Sequence, residues 1–160
     1  MVISRAAMIQ LNDTMHKVFP LFGPIEEKRW AKGWNPTEIL PDGAVFEENM
    51  RFKTRSDNPH EAWFYWELLR LSNETNEIQY SVKTPNRNWI IKIKCSETGT
   101  GSTQAGITYS YKAFNALGSK LNHRALSSMF KEDLKDWERA INHYLITGQS
   151  LKTDSDTMKG

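Results

Sequence analysis

Three consecutive segments of the chain place apolar side chains on every second residue, and a later one changes to a spacing of three and four. Ile78, Tyr80 and Val82 oppose Gln79, Ser81 and Lys83, and Trp89, Ile91, Ile93 and Cys95 oppose Ile90, Lys92, Lys94 and Ser96. Ile107, Tyr109, Tyr111 and Ala113 oppose Gly106, Thr108, Ser110 and Lys112. Period two is the mark of half-buried strands. From Ser119 to Thr147 the stripe is Leu126, Phe130, Leu134, Trp137, Ile141, Tyr144 and Leu145, with Lys131, Glu132, Lys135, Glu138 and Asn142 opposite. That spacing predicts one amphipathic helix, closed by Gly148 and roughly 40 Å long at 1.5 Å per residue. A sheet with one apolar face and a helix with one apolar stripe bury both by packing together, which constrains the fold to an α+β layer arrangement.

The segments between strands, SDNPH, SNET, TPNRN and ETGTGS, are short and rich in turn residues, so successive strands pair antiparallel. Upstream, Phe46, Met50 and Phe52 alternate with Val45, Asn49 and Arg51, and Glu48 falls on the Phe46 side. EAWFYWELLRL, residues 61 to 71, is apolar on both faces and is not oriented by its pattern. Thr37 to Leu40 offers a short additional strand.

At the N-terminus, residues 3 to 11 predict a first strand, followed by the N-cap residues Asn12, Asp13 and Thr14. Met15, Val18, Phe19 and Phe22 recur at helical spacing. Pro24 suits the start of a second short helix with Glu26 and Glu27 early and Lys28, Arg29 and Lys32 late, ending at Gly33. In that helix Glu27 and Arg29 are expected to face out. Trp30 and Trp34 are expected to wedge its end against the mouth of the sheet, with a ligand gate at Trp34 as the alternative. The whole is one domain over residues 1–148, with residues 149–160, QSLKTDSDTMKG, expected as a disordered tail.

Composition narrows the function classes. Lysines and arginines are scattered among acids and the net charge is +2, which argues for no nucleic-acid partner and no membrane-surface role. The N-terminal stretch lacks a signal-peptide core and no apolar run reaches membrane-span length, so a cytoplasmic location is expected. Cys95 is the only cysteine and lies on the apolar side of its strand, a small buried hydrophobe by pattern. His16, His60, His123 and His143 have no metal-ligand spacing, and Gly99-x-Gly101 joins two strands where a phosphate loop would precede a helix, so no metal or other cofactor is expected.

The element order resembles that of the START-like superfamily, or helix-grip fold, and the motifs resemble its polyketide cyclase/dehydrase-like SRPBCC branch. They are VFPLFGPIEEKRWAKGWNP (Val18 to Pro36), Gly43 with Val45-Phe46, Trp63, Ile78 and Tyr80, Thr108-Tyr109, Leu117-Gly118, Trp137-Glu138, and Tyr144-Leu145 with Gly148. The resemblance spans residues 3 to 148. It implies a curved antiparallel sheet of six or seven strands wrapped around a long C-terminal helix, with two short helices after the first strand. It further implies a hydrophobic ligand, aromatic or lipid-like, between sheet and helix. The Trp63 strand departs from the pattern by being heavier and more aromatic.

Under that arrangement the candidate ligand-binding residues are Phe46, Met50, Phe52, Tyr80, Trp89, Ile91, Tyr109, Tyr111, Phe130 and Trp137. Tyrosines lead among them, because a buried hydroxyl needs a partner. Glu48 is the candidate catalytic residue, since a carboxylate facing an apolar interior can serve as acid or base; the alternative is a strand end or bulge that turns it to solvent, or an ion pair with Arg51 or Arg70. The expected function is binding of a hydrophobic small molecule. The first alternative is a cyclase/dehydrase-like lyase or isomerase, and the second is a protein-interaction or co-chaperone-type module with a possible homodimer across residues 61–71.

Overall fold

The computed structural model describes residues 2–42 and 45–151. Seven strands form one antiparallel sheet: β1 Val2–Leu11, β2 Thr37–Leu40, β3 Arg51–Arg55, β4 Trp63–Ser72, β5 Glu77–Lys83, β6 Arg87–Glu97 and β7 Thr103–Ala113. Their spatial order is β1-β7-β6-β5-β4-β3-β2. The short connections produce the meander from β2 to β7, and β1 returns to the β7 edge, pairing Val2 with Lys112 through Leu11 with Thr103. The expected alternation appears as burial: Trp89, Ile91, Ile93 and Cys95 are buried, as are Ile107, Tyr109 and Tyr111. In β4 the structure supplies the missing orientation, with Phe64, Trp66 and Leu68 inside and Tyr65 and Leu69 outside.

Helix α1 is a single turn, Met15–Val18, continued by 3-10 turns at Phe19–Phe22 and Glu26–Arg29. The single long C-terminal helix is corrected to two: α2 Ala116–Met129 and α3 Lys135–Thr147. Between them Asp133 and Leu134 adopt φ values of 50° and 62°, the left-handed region. Burial explains the break. Leu134 is fully buried, α2 packs chiefly on β7 and α3 on β1, and the bend carries the apolar stripe from one strand to the next. Leu117 and Gly118 belong to the first turn of α2. A Cβ on Gly118 would lie 2.1 Å from the Asn86 carbonyl oxygen, so glycine is what lets α2 dock on the β5–β6 turn.

The strand expected from Val45 starts only at Arg51, because Asn49 takes φ 73° and the Met50 N–H bonds back to the Glu47 carbonyl. Of the expected tail, residues 152–160 lie outside the described residues, as does Gly43. Leu151 is partly buried against the core. Among the described residues no helix is long and apolar enough to cross a membrane.

Candidate functional site

The inner face of the sheet and the two C-terminal helices enclose an interior built largely of rings. One chain of contacts runs from Phe22 to Trp30 (6.4 Å between centroids), Trp137 (5.8 Å) and Tyr109 (6.4 Å). It continues to Tyr111 (6.0 Å), Trp89 (5.2 Å) and Phe64 (5.1 Å), with Phe130 edge-on to Tyr109. A second group sets Trp34 edge-on to Phe52 and Trp66, and Tyr80 edge-on to the same two rings. Alternation on β6 and β7 causes the first cluster: Trp89 and Tyr111 are cross-strand partners, and Ile91 pairs with Tyr109 one step along. The break after α2 brings Phe130 and Trp137 down onto that pair.

The two clusters differ in how their polar atoms are satisfied. In the second, Trp66 Nε1 donates to Thr54 Oγ1 at 3.0 Å, Trp34 Nε1 to the Pro24 carbonyl at 2.7 Å and Tyr80 Oη to the Phe22 carbonyl at 2.7 Å. Trp30 Nε1 donates to the Leu21 carbonyl at 2.8 Å. The Tyr80 bond ties the first 3-10 turn to the sheet, while those of Trp30 and Trp34 tie the end of the second turn back onto the first and the loop between them. In the first cluster Trp89 Nε1, Tyr111 Oη and Trp137 Nε1 are buried and have no hydrogen-bond partner among the described residues. Leaving such a group unpaired costs about 1–3 kcal/mol. Burial also drives the Tyr111 hydroxyl pKa far above its ordinary value, with Arg87's positive charge only partly opposing it. Tyr111 is therefore a neutral donor at every physiological pH.

Two carboxylates exchange the places expected of them. Glu48 is exposed on the turn before β3, where its Oε2 accepts the Leu71 N–H at 2.9 Å, so a catalytic role inside the fold is not open to it. The left-handed Asn49 ends the alternation on which that expectation depended. Glu27, expected to face solvent, is fully buried. The cause is the tight 3-10 turn, whose three residues per turn rotate Glu27 inward together with Trp30. Its charge reaches Tyr80, whose hydroxyl pKa is raised first by burial and then by Glu27. No sequence signal short of the helix type would have found it.

The remaining candidates sit at the rim. Met50 is buried and Phe46 half-buried, and with Gly23, Pro24, Ile25 and Glu26 they line an opening of about 240 Å3. At the opposite end a buried ion pair, missed in the sequence, closes the interior. Arg87 Nη2 lies 2.7 Å from Glu61 Oε1, both side chains about 1 % exposed, and the guanidinium stands 4.6 Å from the Trp89 ring centre. Asn58 and Asn86 add amide bonds to the same carboxylate.

No family model and no curated protein sequence matches the chain. Solved structures do. A point mutant of norcoclaurine synthase from Thalictrum flavum, in complex with a transition-state analogue, superposes with a TM-score of 0.68 at 11% identity, covering 92% of this chain and 96% of that one. The di-domain ARO/CYC BexL gives 0.64 at 12% identity, over 90% of this chain and 46% of its own. Ara h 8.0201 gives 0.63 at 11% identity, over 92% and 99%. The chain thus has the helix-grip fold that its element order resembles. At such identities the likeness is one of architecture.

Proposed function

We propose that the protein binds a small, mainly aromatic molecule in the interior between the sheet and the helices α2 and α3. The observation that supports this reading is that Trp89 Nε1, Tyr111 Oη and Trp137 Nε1 are buried donors with no acceptor among the described residues, carried on rings linked in series through Tyr109. A flat ligand bearing acceptor oxygens satisfies them, while the surrounding rings bury its apolar part. A purely aliphatic lipid leaves all three unsatisfied and is the weaker candidate. The Thalictrum enzyme of the same fold has been solved with dopamine and hydroxybenzaldehyde, ligands of the aromatic kind favoured here. A reducing, cytoplasmic setting suits the single buried thiol.

Native mass spectrometry of protein purified from cells tests the reading, with aromatic carbonyl compounds then titrated against the stripped protein. Bound mass and a Tyr111→Phe or Trp137→Phe affinity loss of about fivefold or more are expected, the worth of one buried hydrogen bond. Absence of bound mass together with no thermal shift from any aromatic carbonyl compound overturns it.

One observation favours a second reading, an enzyme of cyclase/dehydrase type. Glu27 is a fully buried carboxylate whose charge is felt at the Tyr80 hydroxyl, and a buried carboxylate is a group that can move a proton within an apolar site. In that case Glu27→Gln abolishes turnover and leaves ligand affinity within a few-fold. Turnover that survives the substitution removes Glu27 from the reaction.

A further inference from the structure

Side chains that point away from the core form the outer face of the sheet, and part of the chain's positive charge is set there in a regular row. Lys53, Tyr65, Lys83, Asn88 and Lys112 stand in cross-strand register on five adjacent strands. With strands about 4.8 Å apart, the three lysines recur at roughly 10 Å. Lys92 and Lys94 stand further along β6 on the same face, and Arg55 on β3 beside the first row. Arg55, Lys83, Lys92 and Lys112 make no ion pair among the described residues. The carboxylates at this face are already near cations: Glu67 at 3.9 Å from Arg51, Glu77 at 3.7 and 3.6 Å from Arg70 and Lys94, and Glu38 on the edge strand paired with Lys53, which leaves Lys83 and Lys112 as the lysines of the row without an ion pair among the described residues. The net charge of +2 hides this placement.

A groove of about 460 Å3 opens on the same face between β1, β5, β6 and β7. Gly106 forms its floor, where a Cβ would meet Met8 Sδ at 3.0 Å, and Gln79, Lys92, Lys94 and Thr108 give it polar walls, with Glu77 at its edge paired to Lys94. Tyr65, 52% exposed, offers a ring between Lys53 and Lys83.

We propose that this face binds a single-stranded nucleic acid, its phosphates on the lysine row, one base on Tyr65 and another in the groove at Gly106. Charge complementarity requires a polyanion. The curvature of the sheet selects a flexible strand over a stiff duplex, and rings set among cations are the elements of single-strand binding. An anionic membrane fits less well. Its flat surface meets only part of a convex face, and the larger ring, Trp63, is taken by Lys53 at 4.1 Å and Arg55 at 4.8 Å.

Fluorescence anisotropy of a labelled oligouridylate of about 20 nucleotides tests this, the length exceeding one ordinary single-strand site. We expect binding near 50 mM salt that weakens at least tenfold by about 200 mM, as release of counterions from three or four phosphates dictates. Combined Lys83→Glu and Lys112→Glu substitutions weaken it more than tenfold, whereas Lys120→Glu on the exposed side of α2 does not. No binding at low salt, or equal effects of the two variants, overturns the proposal. So does sedimentation with phosphatidylserine vesicles that the oligonucleotide fails to compete. The interior site plays no part in this test, and either proposal can fail without the other.

Discussion

Arg87 and Glu61 show how a polar residue is kept inside an apolar end of the fold. Burial works against the Glu61 charge, but hydrogen bonds from Arg87, Thr84 and Asn58 and the Arg87 charge outweigh it and hold the carboxyl below its usual value. A lowered folded-state pKa means stability that is present above the unfolded value, roughly 4.3, and lost as pH falls through the folded one. The urea midpoint of the wild type should therefore fall toward that of Glu61→Gln as pH drops from 7 into the range below 4. Arg87→Met leaves the carboxylate buried without its counter-charge and is expected to cost about 3–5 kcal/mol at neutral pH. Replacing both partners with apolar residues should restore most of that stability. For Cys95, burial pushes the thiol up to about 12, so iodoacetamide should modify it near pH 8 only at the rate of unfolding.

Elements show a different balance, between burial and backbone strain. Leu134 begins α3 in the left-handed region, which costs an ordinary residue about 1–2 kcal/mol, and it is retained because the bend buries it fully. Truncation separates the two effects. Leu134→Gly should be more stable than Leu134→Ala by about 1 kcal/mol in chemical denaturation, the reverse of their order inside a helix. Strand periods were legible because alternation survives in the sequence wherever a sheet has one wet face. The break at Asp133 and Leu134 was not, since neither glycine nor proline marks it and the apolar stripe runs through it unbroken. Glu27 was hidden for a related reason: a 3-10 turn and an α-turn share composition but aim the second residue differently. Tyr109, Tyr111, Trp89 and Trp137 could be placed on inner faces from period alone, whereas which donors lack acceptors depends on neighbours 20 to 50 residues away.

At the scale of the molecule, the open sheet has two borders, and α3 guards one of them. Glu138 Oε1 accepts the Gln10 N–H at 2.7 Å, and Asn142 Oδ1 accepts the Asn12 N–H at 2.8 Å while its amide donates to the Gln10 carbonyl at 3.0 Å. Unpaired strand edges invite other strands, and covering them prevents it. Asn142→Ala should accelerate hydrogen exchange at Asn12 by at least about tenfold, the worth of one lost bond at a border, with little change at β6. The guard consists of two rotatable side chains in place of a partner strand. The β1 margin can thus be uncovered by a change of rotamer without dismantling any ladder, and a chain so altered acquires a docking place for an extended peptide, including one from its own neighbour.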